Sequence, residues 1–171
     1  MLKSQLGRIA TVVSLMFLAS CGSQSSTAPG AGGGTRGKFV AAENDRYAVT
    51  NAELGAVILD GQRYLRWGFS LRVKQPIQLR SVRVEDVSST PPIVYIADQA
   101  PQVNGGQWTG YSGAIEPTAA SNPWLYDTTA SSRVFRVTIT DLNNQVSVLE
   151  QTVSYSPQSK KNLRQWYGLQ R

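Results

Sequence analysis

The stretch of sequence that decides the fold is Tyr64-Leu65-Arg66-Trp67-Gly68-Phe69-Ser70-Leu71-Arg72-Val73. Every odd position from Leu65 to Val73 is apolar, and arginine, glycine and serine occupy the even positions between them. Because side chains alternate between the two faces of a strand, this pattern predicts a strand with one face in a core. The run Ala56-Val57-Ile58-Leu59 and the dipeptide Asp60-Gly61 come directly before it. Asp-Gly readily adopts the positive φ angles of a tight turn, so we expect a hairpin of two antiparallel strands here.

A second pattern of strand, turn and strand lies between Arg133 and Tyr155. In its first half Phe135, Val137 and Ile139 share one side, and residues 141–144 (DLNN) then turn the chain. In its second half the apolar parity changes, as seen at Val146, Val148 and Val153. A change of parity within one strand indicates an extra residue, so we predict a β-bulge near residues 149–151.

Two further runs, residues 77–87 and 93–96, have strand character. The parity of the first shifts between Leu79 and Val82, which indicates a bulge. Pro91-Pro92 precedes the second and, because proline has no N–H for a β-ladder, places it at a sheet edge or a strand start. Seven or eight short strands, with no helical periodicity before the tail, predict an all-β fold. We expect an antiparallel β-sandwich with a short C-terminal helix.

The segment from Arg133 to Tyr155 has Val-Thr-Ile-Thr-Asp before an Asn-Asn turn, and it resembles the closing hairpin of bacterial immunoglobulin-like domains. The resemblance implies an immunoglobulin-like sandwich. The chain lacks the Cys-Trp-Cys core of antibody domains, and a transthyretin-like sandwich or a small barrel would have the same strand pattern. We therefore predict the sandwich class and leave its topology open.

The N-terminus has the character of a targeting segment. Lys3 and Arg8 precede a mostly apolar run from Ile9 to Ala19, which is shorter than the roughly 20 residues that a membrane-spanning helix needs. The run ends in Leu18-Ala19-Ser20-Cys21, which resembles the lipobox of bacterial lipoproteins.

The lipobox resemblance implies that residues 1–20 are a lipoprotein signal peptide and that signal peptidase recognises Leu18, Ala19 and Ser20. It also implies that Cys21 carries acyl chains such as palmitate on its sulfur and its amine, which would anchor the protein stably in a membrane. Because Gly22 follows where an Asp would retain the protein in the inner membrane, the family rule implies the outer membrane, facing the periplasm. The alternative is a conventional signal peptide that leaves Cys21 as a free thiol.

We divide the rest of the chain by composition. Residues 21–38 form the lipidated cysteine and a flexible linker of Gly, Ser, Ala and Thr, residues 39–155 a β-sandwich domain, and residues 156–171 a basic, aromatic tail. The whole chain has a formal charge of +6, but residues 39–155 contain nine basic and 11 acidic residues, a net charge of −2. A mildly acidic domain does not predict binding to nucleic acid.

The residue inventory excludes several kinds of catalytic site. The 171 residues include no His and one Cys, so the chain cannot form an internal disulfide, a Ser-His-Asp triad, a Cys-His pair or a structural zinc site. A glycosidase that uses two carboxyl groups stays open, but the adjacent Glu85 and Asp86 should point to opposite faces of a strand. We predict no enzyme, no metal and no cofactor.

Aromatic residues beside glycines between residues 104 and 126 provide a candidate ligand site. Flat aromatic faces next to polar groups suit sugar stacking or a protein hot spot. The candidate ligand-binding residues are Trp108, Tyr111, Trp124 and Tyr126. The alternative is that both tryptophans close the end of the sandwich as part of its core.

The C-terminal tail provides a second candidate site. We predict that Ser159 caps a short helix that Gly168 ends. Its cationic and aromatic residues suit lipid headgroups or an acidic partner. The candidate contacts are Lys160, Lys161, Arg164, Trp166 and Tyr167. The alternative is that this helix packs on the domain.

These features together predict a membrane-anchored lipoprotein whose non-catalytic β-sandwich is an interaction module in the cell envelope. Its expected partners are the membrane, through the acyl chains, and an envelope protein. A lipoprotein that binds glycan or peptidoglycan through the loop aromatics is the alternative.

Overall fold

A computed structural model describes residues 38–127, residue 129 and residues 132–169. The strands in these residues are β1 (Lys38–Phe39), β2 (Tyr47–Leu59), β3 (Gln62–Val73), β4 (Leu79–Asp86), β5 (Ile93–Gln99), β6 (Gln107–Tyr111), β7 (Ser132–Asp141) and β8 (Val146–Ser154). The helices are α1 (Pro123–Tyr126) and α2 (Pro157–Trp166). Cys21 and the predicted lipobox lie outside the described residues.

The strands form two sheets with a core between them. One sheet has five strands in the order β1-β8-β7-β4-β5, and the other has three in the order β2-β3-β6. All pairings within both sheets are antiparallel. The predicted all-β antiparallel sandwich with a short C-terminal helix is confirmed.

The β2–β3 hairpin follows the alternating pattern from which the fold was predicted. Asp60 and Gly61 have φ angles of 51° and 79°, so they form the predicted turn between β2 and β3. The odd residues of β3 from Leu65 to Val73 are buried, and the ring centroid of Trp67 lies 4.6 Å from that of Phe135 in the opposite sheet. The hairpin thus supplies one wall of the core.

Pairing between β7 and β8 runs without a register shift from Ser132 opposite Ser154 to Thr140 opposite Val146. The predicted bulge near residues 149–151 is therefore wrong. Val146 and Val148 are 57% and 50% exposed on the outer face, and the polar Gln151 lies on the inner face. The apolar residues therefore change parity along β8 without an extra residue in the strand. The buried side-chain amide of Gln151 accepts a hydrogen bond from the Ala42 amide and donates one to the Val40 carbonyl, so a polar side chain is tolerated there.

Two other local predictions are confirmed. The register of β4 against β7 shifts between Leu79 and Ser81, where the parity of the apolar residues indicated a bulge. Strand β5 begins directly after Pro91-Pro92 and is an edge strand of the larger sheet.

Helix α2 begins about one turn earlier than predicted. Ser156, not Ser159, is the N-cap, and its side chain accepts a hydrogen bond from the Ser159 amide. Pro157 follows at the first helical position, where its missing N–H carries no cost, so Ser-Pro is the stronger start signal. Gly168, with a φ of 70°, ends the helix as predicted. No helix in the described ranges is long and apolar enough to cross a membrane.

Candidate functional site

Trp108 and Trp124 are core residues, with 2% and 1% of their surface exposed. Trp108 lies in β6, and its ring covers Gly110, where an added Cβ would lie closer than 3.0 Å to two ring atoms. Trp124 stacks on Tyr155 with ring centroids 5.1 Å apart. Neither indole has a free face for a sugar, so both residues fit the alternative that they belong to the core.

Tyr111 and Tyr126 are the exposed members of the predicted aromatic site. Tyr126 lies in α1, and its hydroxyl donates a hydrogen bond to the Pro117 carbonyl. Tyr111 lies in β6, where it pairs with Gly68 of β3. The four predicted residues therefore do not form one exposed surface. Tyr111 is exposed on a strand, so it remains a candidate binding residue.

The Tyr111 ring is held in position by a glycine and an arginine. A Cβ on Gly68 would lie 3.0 and 3.2 Å from two atoms of this ring, so the ring lies directly over the glycine. The guanidinium carbon of Arg66 is 4.5 Å from the ring centroid, which is cation–π distance. Gly68 and Gly110 thus make room for the rings of Tyr111 and Trp108.

A stripe of partly exposed side chains continues from Tyr111 toward the tip of the β2–β3 hairpin. Even residues of β3 point away from the core, and residues directly opposite them in β2 share that face. We call the following residues the outer stripe: Tyr111, Arg66, Tyr64, Val57 and Leu59. Tyr111 is 48% exposed and Leu59 is 46% exposed. The stripe combines apolar, aromatic and cationic contact groups on one face.

A cleft of about 540 Å³ lies between the segment that joins β4 to β5 and the residues around α1. We call it the end cleft. One wall contains Ser88, Ser89, Thr90, Pro91, Pro92 and Ile93, and the other contains Ala119, Ala120, Pro123, Trp124 and Asp127. Arg133 of β7 also lines it.

Arg133 is ion-paired with Asp86 inside the protein. Asp86 is 0% exposed, and its Oδ2 atom accepts hydrogen bonds from Nε and Nη2 of Arg133 at 2.9 and 2.7 Å. Nη2 also donates to the Ser89 hydroxyl. Burial raises the pKa of Asp86 above its ordinary value, although the bonds from Arg133 and from the Ser88 amide act in the opposite direction.

This ion pair was not predicted, although the sequence contains a signal for it. Asp86 shares the parity of the core residues Val82 and Val84, and Arg133 shares that of Phe135 and Val137. A charged residue at an inward position of each of two strands was therefore readable. That the two strands are neighbours, with Asp86 opposite Phe135, was known only from the tertiary structure.

The tail residues are bonded to the domain. Lys160 is buried, donates to the Asp127 carbonyl and lies 5.6 Å from the Trp124 ring centroid; burial lowers its pKa. Arg164 donates to the Leu125 carbonyl, and the Tyr167 hydroxyl donates to the Tyr64 carbonyl at 3.1 Å.

Trp166 is half-buried against Arg63, whose guanidinium carbon is 5.0 Å from its ring centroid. Of the five tail residues predicted to contact a membrane or a partner, only Lys161 is exposed. The helix thus packs on the domain, as the alternative stated.

Glu85 and Asp86 point to opposite faces, since Glu85 pairs with Arg83 at 3.1 Å while Asp86 is buried. Within the described part of the chain, no three Cys, Asp or Glu side chains lie close enough together to hold a metal ion. Comparison with protein-family models, curated proteins and solved structures finds no match to this chain.

Proposed function

We propose that this protein is a lipid-anchored, non-catalytic binding module of the bacterial cell envelope, and that its outer stripe captures an envelope protein. The observation that carries the proposal is the exposed stack of Arg66 on Tyr111, held over Gly68. Tyrosine and arginine are enriched among the few residues that dominate binding energy at protein interfaces.

The fixed position of the Tyr111 ring supports this role. A side chain that is already ordered loses little conformational entropy when a partner binds, so more of its contact energy contributes to affinity. Leu59 and Val57 extend the contact toward the hairpin tip, and polar groups such as Gln62 border them. An apolar centre with a polar rim is typical of a protein interface.

The proposed anchor is the acylated Cys21, on the strength of Leu18-Ala19-Ser20-Cys21 and the apolar run before it. An acyl anchor at Cys21 would hold the module at the outer membrane, where it would meet partners of the cell envelope.

The stripe is tested by cross-linking in cells from a photoreactive residue at Gln62, which lies opposite Leu59. We expect one main protein adduct, and Tyr111→Ala should reduce it about tenfold or more because the ordered aromatic contact beside Arg66 is lost. Val148→Ser, at an exposed valine of the other sheet, is the matched control and should leave the yield unchanged. Absence of a defined adduct, or equal losses in both variants, would contradict the proposal.

The anchor is tested separately by Cys21→Ser. The variant should retain its signal peptide and migrate more slowly than the wild type, because lipoprotein signal peptidase needs the acylated cysteine. Ser25→Ala in the linker should be processed normally. Normal processing of Cys21→Ser would exclude lipidation without bearing on the outer stripe.

A further inference from the structure

We propose that the end cleft binds the acetamido group of an N-acetylated amino sugar. This site differs from the outer stripe, and the inference does not depend on the proposed protein partner.

The cleft offers hydrogen-bond donors that are held in place. Nε and Nη2 of Arg133 are bonded to Asp86, and Nη1 makes no hydrogen bond to a described residue. The Ser89 hydroxyl accepts from Arg133 and the Ser88 hydroxyl accepts from the Val134 amide, so each keeps its own O–H for donation. Donors fixed in this way suit a ligand with a carbonyl oxygen.

The charges around the cleft favour a neutral ligand over an anion. Arg133 is compensated by Asp86, with which it forms an ion pair at 2.7 Å. Asp127, on the opposite wall, attracts Lys160 electrostatically. The charged residues in the described lining, Arg133 and Asp127, have opposite signs, and Arg133 is also paired with Asp86. The lining therefore offers no net positive charge to a carboxylate or a phosphate, whereas a neutral amide carbonyl needs only a donor.

The shape and chemistry of the walls favour a sugar substituent over a peptide. Pro91, Pro92 and Pro123 line the cleft, and because prolines lack an N–H their backbone cannot donate hydrogen bonds to an extended peptide. The prolines, with Ala119 and Ala120, form a small apolar surface that suits the methyl of an acetyl group. Ser88 and Thr90 also line the cleft, and their hydroxyls suit the hydroxyls of a sugar ring.

The inference is tested by calorimetric titration of the detergent-solubilised full-length protein with chitotetraose, a β-1,4-linked N-acetylglucosamine tetrasaccharide. Cellotetraose has the same linkage but a hydroxyl in place of each acetamido group. We expect chitotetraose to bind and cellotetraose to bind about tenfold or more weakly, because cellotetraose lacks both the carbonyl oxygen that would accept from Arg133 and the serines and the methyl that would contact the prolines. Equal binding of the two sugars, or no binding of chitotetraose, would overturn the inference.

Two variants locate the binding. Ala120→Phe places a ring in the cleft from an exposed position and should weaken chitotetraose binding about tenfold with no loss of thermal stability. Ala114→Phe, at an exposed alanine outside the cleft lining, should bind as the wild type does. An unaffected Ala120→Phe variant, or binding of N-acetyl-dialanine amide in place of chitotetraose, would contradict the inference.

Tyr111→Ala should bind chitotetraose normally, which separates this site from the outer stripe.

Discussion

Replacing Arg133 with methionine should lower the free energy of unfolding by about 3–5 kcal/mol at neutral pH, because it leaves a buried charge without its partner. Asp86 is fully buried, and Arg133 supplies two hydrogen bonds to its Oδ2 atom. Methionine has a similar length and no charge. The decrease in the free energy of unfolding should therefore come mainly from the missing ion pair and not from a cavity. Denaturant unfolding of the two proteins measures the difference.

Two controls identify the cause of this loss. Arg136 also lies in β7 but points outward, and its partner Glu150 is 52% exposed. Arg136→Met should therefore lower the free energy of unfolding by less than about 1 kcal/mol. The double variant Arg133→Met with Asp86→Leu should recover most of the stability because it removes both charges. Equal costs for the two arginine variants would contradict the argument from burial.

The penalty should also depend on pH. Burial already raises the pKa of Asp86 above 3.8, and removal of Arg133 should raise it further. The folded state then holds the proton of Asp86 more tightly than the unfolded state does, so stability falls as the pH rises from about 3.8 through the folded-state pKa. The deficit of Arg133→Met should therefore be larger at pH 7 than at pH 4. A deficit that is the same at both values would show that Asp86 is not its source.

Gly110→Ala should be the second severe substitution, with an expected cost of about 2–3 kcal/mol or more. The new Cβ would lie closer than 3.0 Å to Cζ2 and Cη2 of Trp108. Because this ring is buried between the sheets, it cannot move aside without disturbing the core. Thermal unfolding followed by tryptophan fluorescence measures the loss.

Gly113→Ala is the matched control for this substitution. A Cβ there would have no atom within 4 Å, and the residue is exposed, so we expect a change within about 0.5 kcal/mol. Combining Gly110→Ala with Trp108→Leu should cost less than the sum of the two single changes, because the smaller side chain relieves the clash. Similar melting temperatures for Gly110→Ala and Gly113→Ala would contradict the steric account.

The strands and turns of this protein were predictable because their signals are local. Alternation from Leu65 to Val73, the positive φ angles that Asp60-Gly61 adopts and the missing donors of Pro91-Pro92 all act within a few residues. Helix α2 was predicted one turn late because two serines compete as caps and only Ser156 precedes a proline. In such cases the chain's own stereochemistry decides the structure.

The candidate binding surfaces were less predictable because they depend on burial. The sequence placed Trp108, Tyr111, Trp124 and Tyr126 in one candidate site, but two are core residues and the other two lie on different elements. Aromatic rings suit a core and an interface equally well. Whether each of these four aromatic residues belongs to the core or to the surface depends on the residues that pack against it in the folded protein.

By itself, the sequence determined the all-β class, the positions of the main turns and the absence of histidine chemistry. It also contains Leu18-Ala19-Ser20-Cys21, whose resemblance to a lipobox supports the proposed anchor. Only the tertiary structure decided that Tyr111 lies over Gly68, that Arg133 meets Asp86 beside a cleft, and that α2 packs on the domain. The physical reason is range. Backbone sterics and turn chemistry act between adjacent residues, whereas burial and ion pairing depend on residues brought together from distant parts of the chain, Asp86 and Arg133 being 47 positions apart.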